Sequence, residues 1–273
     1  MKEKVLTYLA GLLAVLVIPY LGTVFVNGVD TALSWRTVNV ENLLPVAVSL
    51  QIAPKYQKEM IKAQAIVARS NIDRKLEENS LEQLLGEIKE QVREVYDMWE
   101  LPAPIYEKAV EETEGEVLMA EGKLCLVPYH ELSNGRTRDG EEALREKRYA
   151  YLKAVDSSGD RESPDYVSSI YLSAQQMPKE LEIIERDSSG YVMGLKTEDA
   201  LLEGEAFRRG LRLASADFSV QKIHGEYRFL CKGKGHGLGI SQYGGNEMAK
   251  EGSSCKEILE TYFPSMELEK VQG

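Results

Sequence analysis

The sequence predicts an α+β fold carried behind one N-terminal transmembrane helix. Three observations predict it: an uncharged apolar run at Val5–Val26, helical periodicity across roughly residues 57–99, and strand-length apolar runs between glycine-bearing turns thereafter. The chain has 273 residues and a formal net charge of −11, enough length for one large domain or two smaller ones behind an anchor.

The apolar run matches the roughly 20 residues that cross the hydrocarbon layer as a helix. Lys2 and Lys4 precede it, so the basic end is expected to stay inside and the body outside. No clean small-x-small triplet follows the run, which argues for a retained anchor over a cleaved signal peptide. The expected layout is a cytoplasmic N-terminus at 1–4, an anchor at 5–26, a polar linker at 27–37 and a folded domain over 38–270. The expected location is the cell membrane, single-pass, with the body extracytoplasmic.

The acidic balance argues against a nucleic-acid partner, because neutralising phosphates takes clustered Lys and Arg. Cys125, Cys231 and Cys255 are too few and scattered for a disulfide framework.

Within the body, Val38–Val48 opens a strand or helix interrupted by Pro45. Gln57–Glu78 is a helix, with Ile61, Ala65, Ala68 and Ile72 at three- and four-residue spacings. A second helix is expected over Leu81–Trp99, ended by Leu101-Pro-Ala-Pro104. A short helix at Tyr106–Glu112 leads to a hairpin, Glu116–Ala120 and Leu124–Tyr129, around Glu121-Gly122. Arg138–Arg148 is dense in charge and reads as a solvated face. Short strands follow at Tyr166–Tyr171 and Leu181–Ile184, a helix at Glu203–Leu211, strand-rich sequence at Phe218–Phe229, and closing helices within Asn246–Tyr262.

Two stretches carry more than fold. One is Gln64-Ala-Ile-Val-Ala-Arg69. The other is Gly233-Lys-Gly-His-Gly-Leu-Gly-Ile-Ser-Gln-Tyr-Gly-Gly245, where four glycines alternate with larger residues. Bare backbone at alternate positions allows close approach of another chain or a ligand, and a flexible linker would not need His236, Gln242 and Tyr243 at fixed places. With Ala109–Val117, Pro128–Thr137 and Gly204–Leu211, these stretches resemble, in order and spacing, the motifs of the stage II sporulation protein D (SpoIID) family, over roughly residues 40–270.

That resemblance implies lytic transglycosylase chemistry on peptidoglycan glycan strands lacking stem peptides, in sporulation-associated wall remodelling. It implies no cofactor, a partner wall amidase and other engulfment membrane proteins. The family's catalytic glutamate lies eleven residues before the Lys of its helix motif; counting back from Lys62 gives Gln51, and Arg69 keeps the matching spacing of eighteen. Protonating a glycosidic oxygen needs a carboxyl group that loses and regains a proton, and a carboxamide does not do this near neutral pH. Glu41, Glu59, Glu131 and Glu205 are the alternative carboxylates, with exposed surface positions the default for each.

The expected site is therefore Gln51 and Arg69 at the catalytic position, with His130, Ser133, Thr137, His236, Ser241, Gln242 and Tyr243 around the sugar. Arg69 either supports the sugar or pairs with a carboxylate at the helix edge. No metal is expected: His130 and His236 with Cys125 or Cys231 are zinc-type ligands, but no tight ligand spacing accompanies them. The alternatives to an enzyme are a non-catalytic glycan-binding scaffold and an amidase modifier.

Overall fold

The computed structural model describes residues 40–78 and 103–271. The expected anchor at 5–26 and the expected helix at 81–99 lie outside them, and among the described residues no helix is long and apolar enough to cross a membrane. The chain divides after Leu43 into two compact units. Of the first unit only residues 40–43 are described; they begin helix α1 (Val40–Ser49), which carries Pro45 within it.

In the second unit, helix α2 (Lys58–Glu78) is the central element. Its alanines and aliphatics surround the axis, so eleven of its residues from Met60 to Ile72 are buried, as expected of a helix apolar on most sides. Its entry is fixed from far along the chain: the Asn246 side chain accepts the Gln57 N–H at 2.7 Å. Helix α3 (Pro104–Glu112) starts on a proline, whose missing N–H costs nothing in a first turn.

Strand β1 (Glu116–Ala120) turns through Glu121 and Gly122, both at positive φ, into β2 (Lys123–Leu124). Two consecutive left-handed residues give the turn whose twist matches a two-residue hairpin. The expected strand over Leu124–Tyr129 is not continuous. Asn71 of α2 takes both the N–H and the C=O of Val127, and Pro128 has no donor, so this main chain is satisfied by a helix side chain instead of a ladder. Pairing resumes at β3 (Tyr129–His130).

A short helix α4 (Gly140–Leu144) follows. The all-solvated reading of 138–148 needs correction at its first residue: Arg138 is buried and paired with Asp187 at 2.5 Å. Next come β4 (Val167–Ser173), β5 (Leu181–Arg186), β6 (Val192–Thr197), β7 (Leu201–Glu203) and helix α5 (Gly204–Gly210). Then β8 (Phe218–Ile223) and β9 (Glu226–Lys232) form a hairpin through His224 and Gly225, also both at positive φ.

The chain closes with β10 (Ile240–Ser241), helix α6 (Gln242–Lys250), helix α7 (Cys255–Tyr262) and β11 (Glu267–Lys270). Ser254 and Glu257 form a reciprocal capping box at the start of α7, satisfying two otherwise orphaned N–H groups.

The sheets are small: β11-β1-β2, β10-β3, β4-β9-β8 and β5-β6-β7. All pairings are antiparallel except β3 with β10. Helix α2 packs against α3, β1, α6 and α7. A second core joins the later sheets through Val192, Leu195, Leu213, Phe218, Tyr227 and Phe229, with Phe207 of α5 packed against it. The expected mixed α+β class is the observed one.

Candidate functional site

The glycine run meets the chain's own 128–133 segment. Gly233, Gly235, Gly237 and Gly239 all have positive φ. At Gly239 a Cβ would stand 2.0 Å from the Pro128 carbonyl oxygen, and at Gly237 it would enter the Tyr191 ring at 2.5 Å. The bare backbone therefore serves an internal close approach, which seats β10 beside β3 in parallel register, Ile240 against Tyr129 and Ser241 against His130.

That seating determines where α6 begins. Ser241 caps the helix, its hydroxyl accepting the Gly244 N–H at 3.2 Å. The sequence places closing helices from Asn246, but the helix starts at Gln242, so Gln242 and Tyr243 lie on its first turn.

Three glutamines then converge. The Gln242 amide nitrogen donates to the main-chain oxygen of Gln51 at 2.8 Å and to the Gln64 side-chain oxygen at 3.1 Å. The Gln64 nitrogen donates to the Gln51 side-chain oxygen at 2.7 Å. A main-chain carbonyl can only accept, so it fixes the orientation of Gln242, which fixes Gln64, which fixes Gln51. Gln64 is fully buried and Gln242 nearly so, whereas Gln51 is half-buried. The Gln51 NH2, a pure donor, and the Gln242 side-chain oxygen, an acceptor, take no part in these three bonds. Tyr243, next to Gln242 on the first turn of α6, lines a hollow of about 250 Å³ with the Lys55–Tyr56 turn, Glu131 and Asn246.

Asp160 anchors the loops that carry Ser133, Ser157 and Ser241. Fully buried, its carboxylate accepts from the Ser133 N–H at 2.8 Å and from the hydroxyls of Ser157 and Ser241, each at 3.0 Å. Burial pushes its pKa up against the lowering by these hydrogen bonds.

The other expected site residues are placed as follows. Arg69 is buried, and its guanidinium donates to the carbonyls of Val110 and Glu116 at 3.2 and 3.1 Å. It lies five residues beyond Gln64, about 140° around the helix, and through these bonds ties α2 to the end of α3 and the start of β1. Ser133 and Thr137 are fully buried, with the Ser133 hydroxyl accepting the Gly135 N–H and the Thr137 hydroxyl the Val155 N–H. They shape the loops instead of presenting free hydroxyls.

His130 is buried with Nδ1 donating to the Leu238 carbonyl at 3.0 Å, and its Nε2 has no hydrogen-bond partner among the described residues. Burial, reinforced by His236, pushes its pKa down to about 3. The His236 ring stands 5.9 Å away and accepts the Leu238 N–H at Nδ1; burial lowers its pKa as well. Among the described residues no group of three or more His, Cys, Asp or Glu is placed to hold a metal, and the three cysteines are free thiols.

Of the alternative carboxylates, Glu59 accepts the Cys255 N–H and pairs with Lys62, Glu205 pairs with Arg208, and Glu131 pairs with Lys234 at 2.7 Å. Only Glu131 borders the hollow beside Tyr243.

Known proteins match this chain, in part or over most of its length. A protein-family model described as stage II sporulation protein, SpoIID, matches residues 30–119, the stretch that supplies Gln51 and Gln64. The stage II sporulation protein D of Bacillus subtilis (strain 168) is 28% identical over 265 residues, covering 88% of this chain and 77% of that protein. That of Bacillus amyloliquefaciens is 26% identical with the same coverage. The amidase enhancer of Bacillus subtilis (strain 168) is 23% identical over 229 residues, which is 59% of this chain and 32% of that protein.

The fold is an α+β domain, and its glycine run lies in a chain similar to stage II sporulation protein D. Over most of its length the chain is similar to the stage II sporulation protein D of two Bacillus species, and the family model covers residues 30–119.

Proposed function

We propose that this protein binds peptidoglycan glycan strands outside the cell membrane during sporulation-associated wall remodelling, without supplying the proton that breaks the glycosidic bond. The observation that carries this reading is the Gln51 carboxamide, held by Gln64 and Gln242 at the position where the family resemblance places a glutamate. A carboxamide NH2 donates to a sugar oxygen but does not protonate a leaving group. Loss of general acid catalysis costs about 10²–10⁴-fold in rate, so binding outlasts turnover.

In this role the protein holds the strand for a wall amidase and other membrane proteins of the same process, itself tethered through residues 5–26. Similarity to a protein named amidase enhancer supports an auxiliary role of this kind. The test is incubation of the purified protein with peptide-free glycan strands, reading both retention and 1,6-anhydro ends. Retention without new ends is the expected result; abundant anhydro ends overturn the non-catalytic reading, and no retention overturns glycan binding.

A further inference from the structure

Most of the sheet edges among the described residues are blunted. β5 carries Glu182, Glu185 and Arg186, with a register shift between Ile183 and Arg186. β11 carries Glu267, Glu269 and Lys270. β8 carries Lys222, and the Phe218 carbonyl at its start accepts from the Arg186 guanidinium at 2.7 Å. β2, β3, β7 and β10 are only two or three residues long. Charge, bulges and shortness are the means by which an exposed edge is kept from pairing with another chain. β4 has none of them. Val167–Ser173 runs for seven residues without a charge, a proline or a register shift, and it lies at the edge of the β4-β9-β8 sheet.

The two ends of the β4–β9 ladder show which main-chain groups face outward. The Ala174 N–H donates to the Gly225 carbonyl at 3.0 Å, and the Gly233 N–H to the Tyr166 carbonyl at 2.8 Å. Bonded pairs alternate with unbonded ones in an antiparallel ladder, so the even-numbered residues of β4 bond β9. Val167, Ser169, Tyr171 and Ser173 turn their N–H and C=O away from it, and none of these main-chain groups bonds another described residue. Apolar surface accompanies them. Val167 and Tyr171 are 52% and 53% exposed, and on the opposite face Ile170 and Leu172 are only partly buried although they pack on the second core. Open main chain beside apolar side chains is what an added strand requires.

The strand is complementary to itself. Antiparallel pairing about a two-fold axis through Ile170 keeps all seven residues paired. It sets Val167 opposite Ser173, Ser168 opposite Leu172 and Ser169 opposite Tyr171 of the other copy, a small side chain facing a large one in each pair. Every outward N–H and C=O then meets an outward residue of the other copy, with none left over. The two Tyr171 rings become diagonal neighbours, within reach of each other.

We propose that β4 is a dimerisation edge, on which a second copy of this chain lays its own β4 antiparallel to make one continuous sheet across an isologous two-fold. The inference is independent of the Gln51 site and of glycan binding. No charge on β4 opposes another, but each copy carries a net −11. Association therefore strengthens as added salt screens that repulsion, whereas an interface built on ion pairs would weaken.

The test is sedimentation equilibrium of the full-length protein, paired with hydrogen exchange resolved to single amides. The expected result is a dimer at about 100 µM, a concentration well above a Kd of about 10 µM, as suits a small interface. The amides of Val167, Ser169, Tyr171 and Ser173 should exchange at least about tenfold more slowly there than in dilute monomer. Those of Ser168, Ile170 and Leu172 should be slow in both. Ser169→Pro removes an outward N–H and spares the β9 ladder. Tyr171→Glu sets like charges diagonally across the axis, while Arg228 opposite it on β9 supports the glutamate within its own sheet. Each variant should be monomeric under the same conditions with unchanged urea unfolding, and Ser169→Ala, which keeps the N–H, should remain dimeric. A protein that stays monomeric overturns the proposal, as does a dimer that leaves the outward amides fast or that survives both variants. Slow exchange of those amides at every concentration gives the edge to another segment of the chain. Slowing only on addition of an extended apolar peptide gives it to a foreign strand, and either result overturns the second copy.

Discussion

The side-chain nitrogen of Gln64 lies 2.7 Å from the side-chain oxygen of Gln51 and donates to it. The same donor would serve one oxygen of a carboxylate equally well, leaving the second oxygen to carry a proton.

Gln51→Glu should therefore create or raise glycan cleavage without loss of folding. The measurement is 1,6-anhydro ends released from peptide-free strands, with an expected gain of about 10²-fold or more over the unaltered protein. A folded, strand-binding variant that stays inert would show that position 51 does not face the scissile bond.

Gln64→Leu should lower stability by about 1–3 kcal/mol, because the Gln51 oxygen loses its donor and Gln242 loses an acceptor in a buried place. Urea unfolding checks this. Strand binding should weaken along with it, since the Gln51 amide is then free to turn.

Arg69→Met should cost about 2–4 kcal/mol, leaving buried carbonyls of Val110 and Glu116 without their charged donor. For the fraction that stays folded, strand affinity should be unchanged. A selective loss of affinity with normal stability would return Arg69 to the binding surface.

His130 gives the protein a pH-dependent stability. Unfolded, the ring takes a proton near its ordinary 6.5; folded, it stays neutral down to about 3. Between those values the unfolded chain binds more protons, so stability falls as pH drops and is fully present above about 6.5. His236 acts in the same direction and Asp160, raised by burial, in the opposite one. The expected loss from His130 is about 2 kcal/mol by pH 5. Urea unfolding at pH 7.5 and 5 should show it, and His130→Phe should shrink the difference.

How much of this was legible in the sequence depended on what each residue answers to. The helix at 58–78 was readable because its apolar spacing and its alanines agree, and the 116–124 and 218–232 hairpins because glycines mark their turns. The broken strand at 124–129 was not, since its main chain is claimed by Asn71, which lies 56 residues away from Val127. Gln51 was found through spacing within the family motif. Gln64 stood inside that motif with no visible role until Gln242 met it from 178 positions along the chain. Asp160 and the Arg138–Asp187 pair look like surface charge in sequence; only burial separates them from it.

The parallel bridge between Tyr129–His130 and Ile240–Ser241 has a temporal consequence. A chain emerging during synthesis has Gln51 and Gln64 early but cannot orient them until Gln242 arrives, nearly two hundred residues later. The orientation of the trio therefore waits on the C-terminal segment, and a chain ended before Gln242 lacks the contact that orders Gln51 and Gln64.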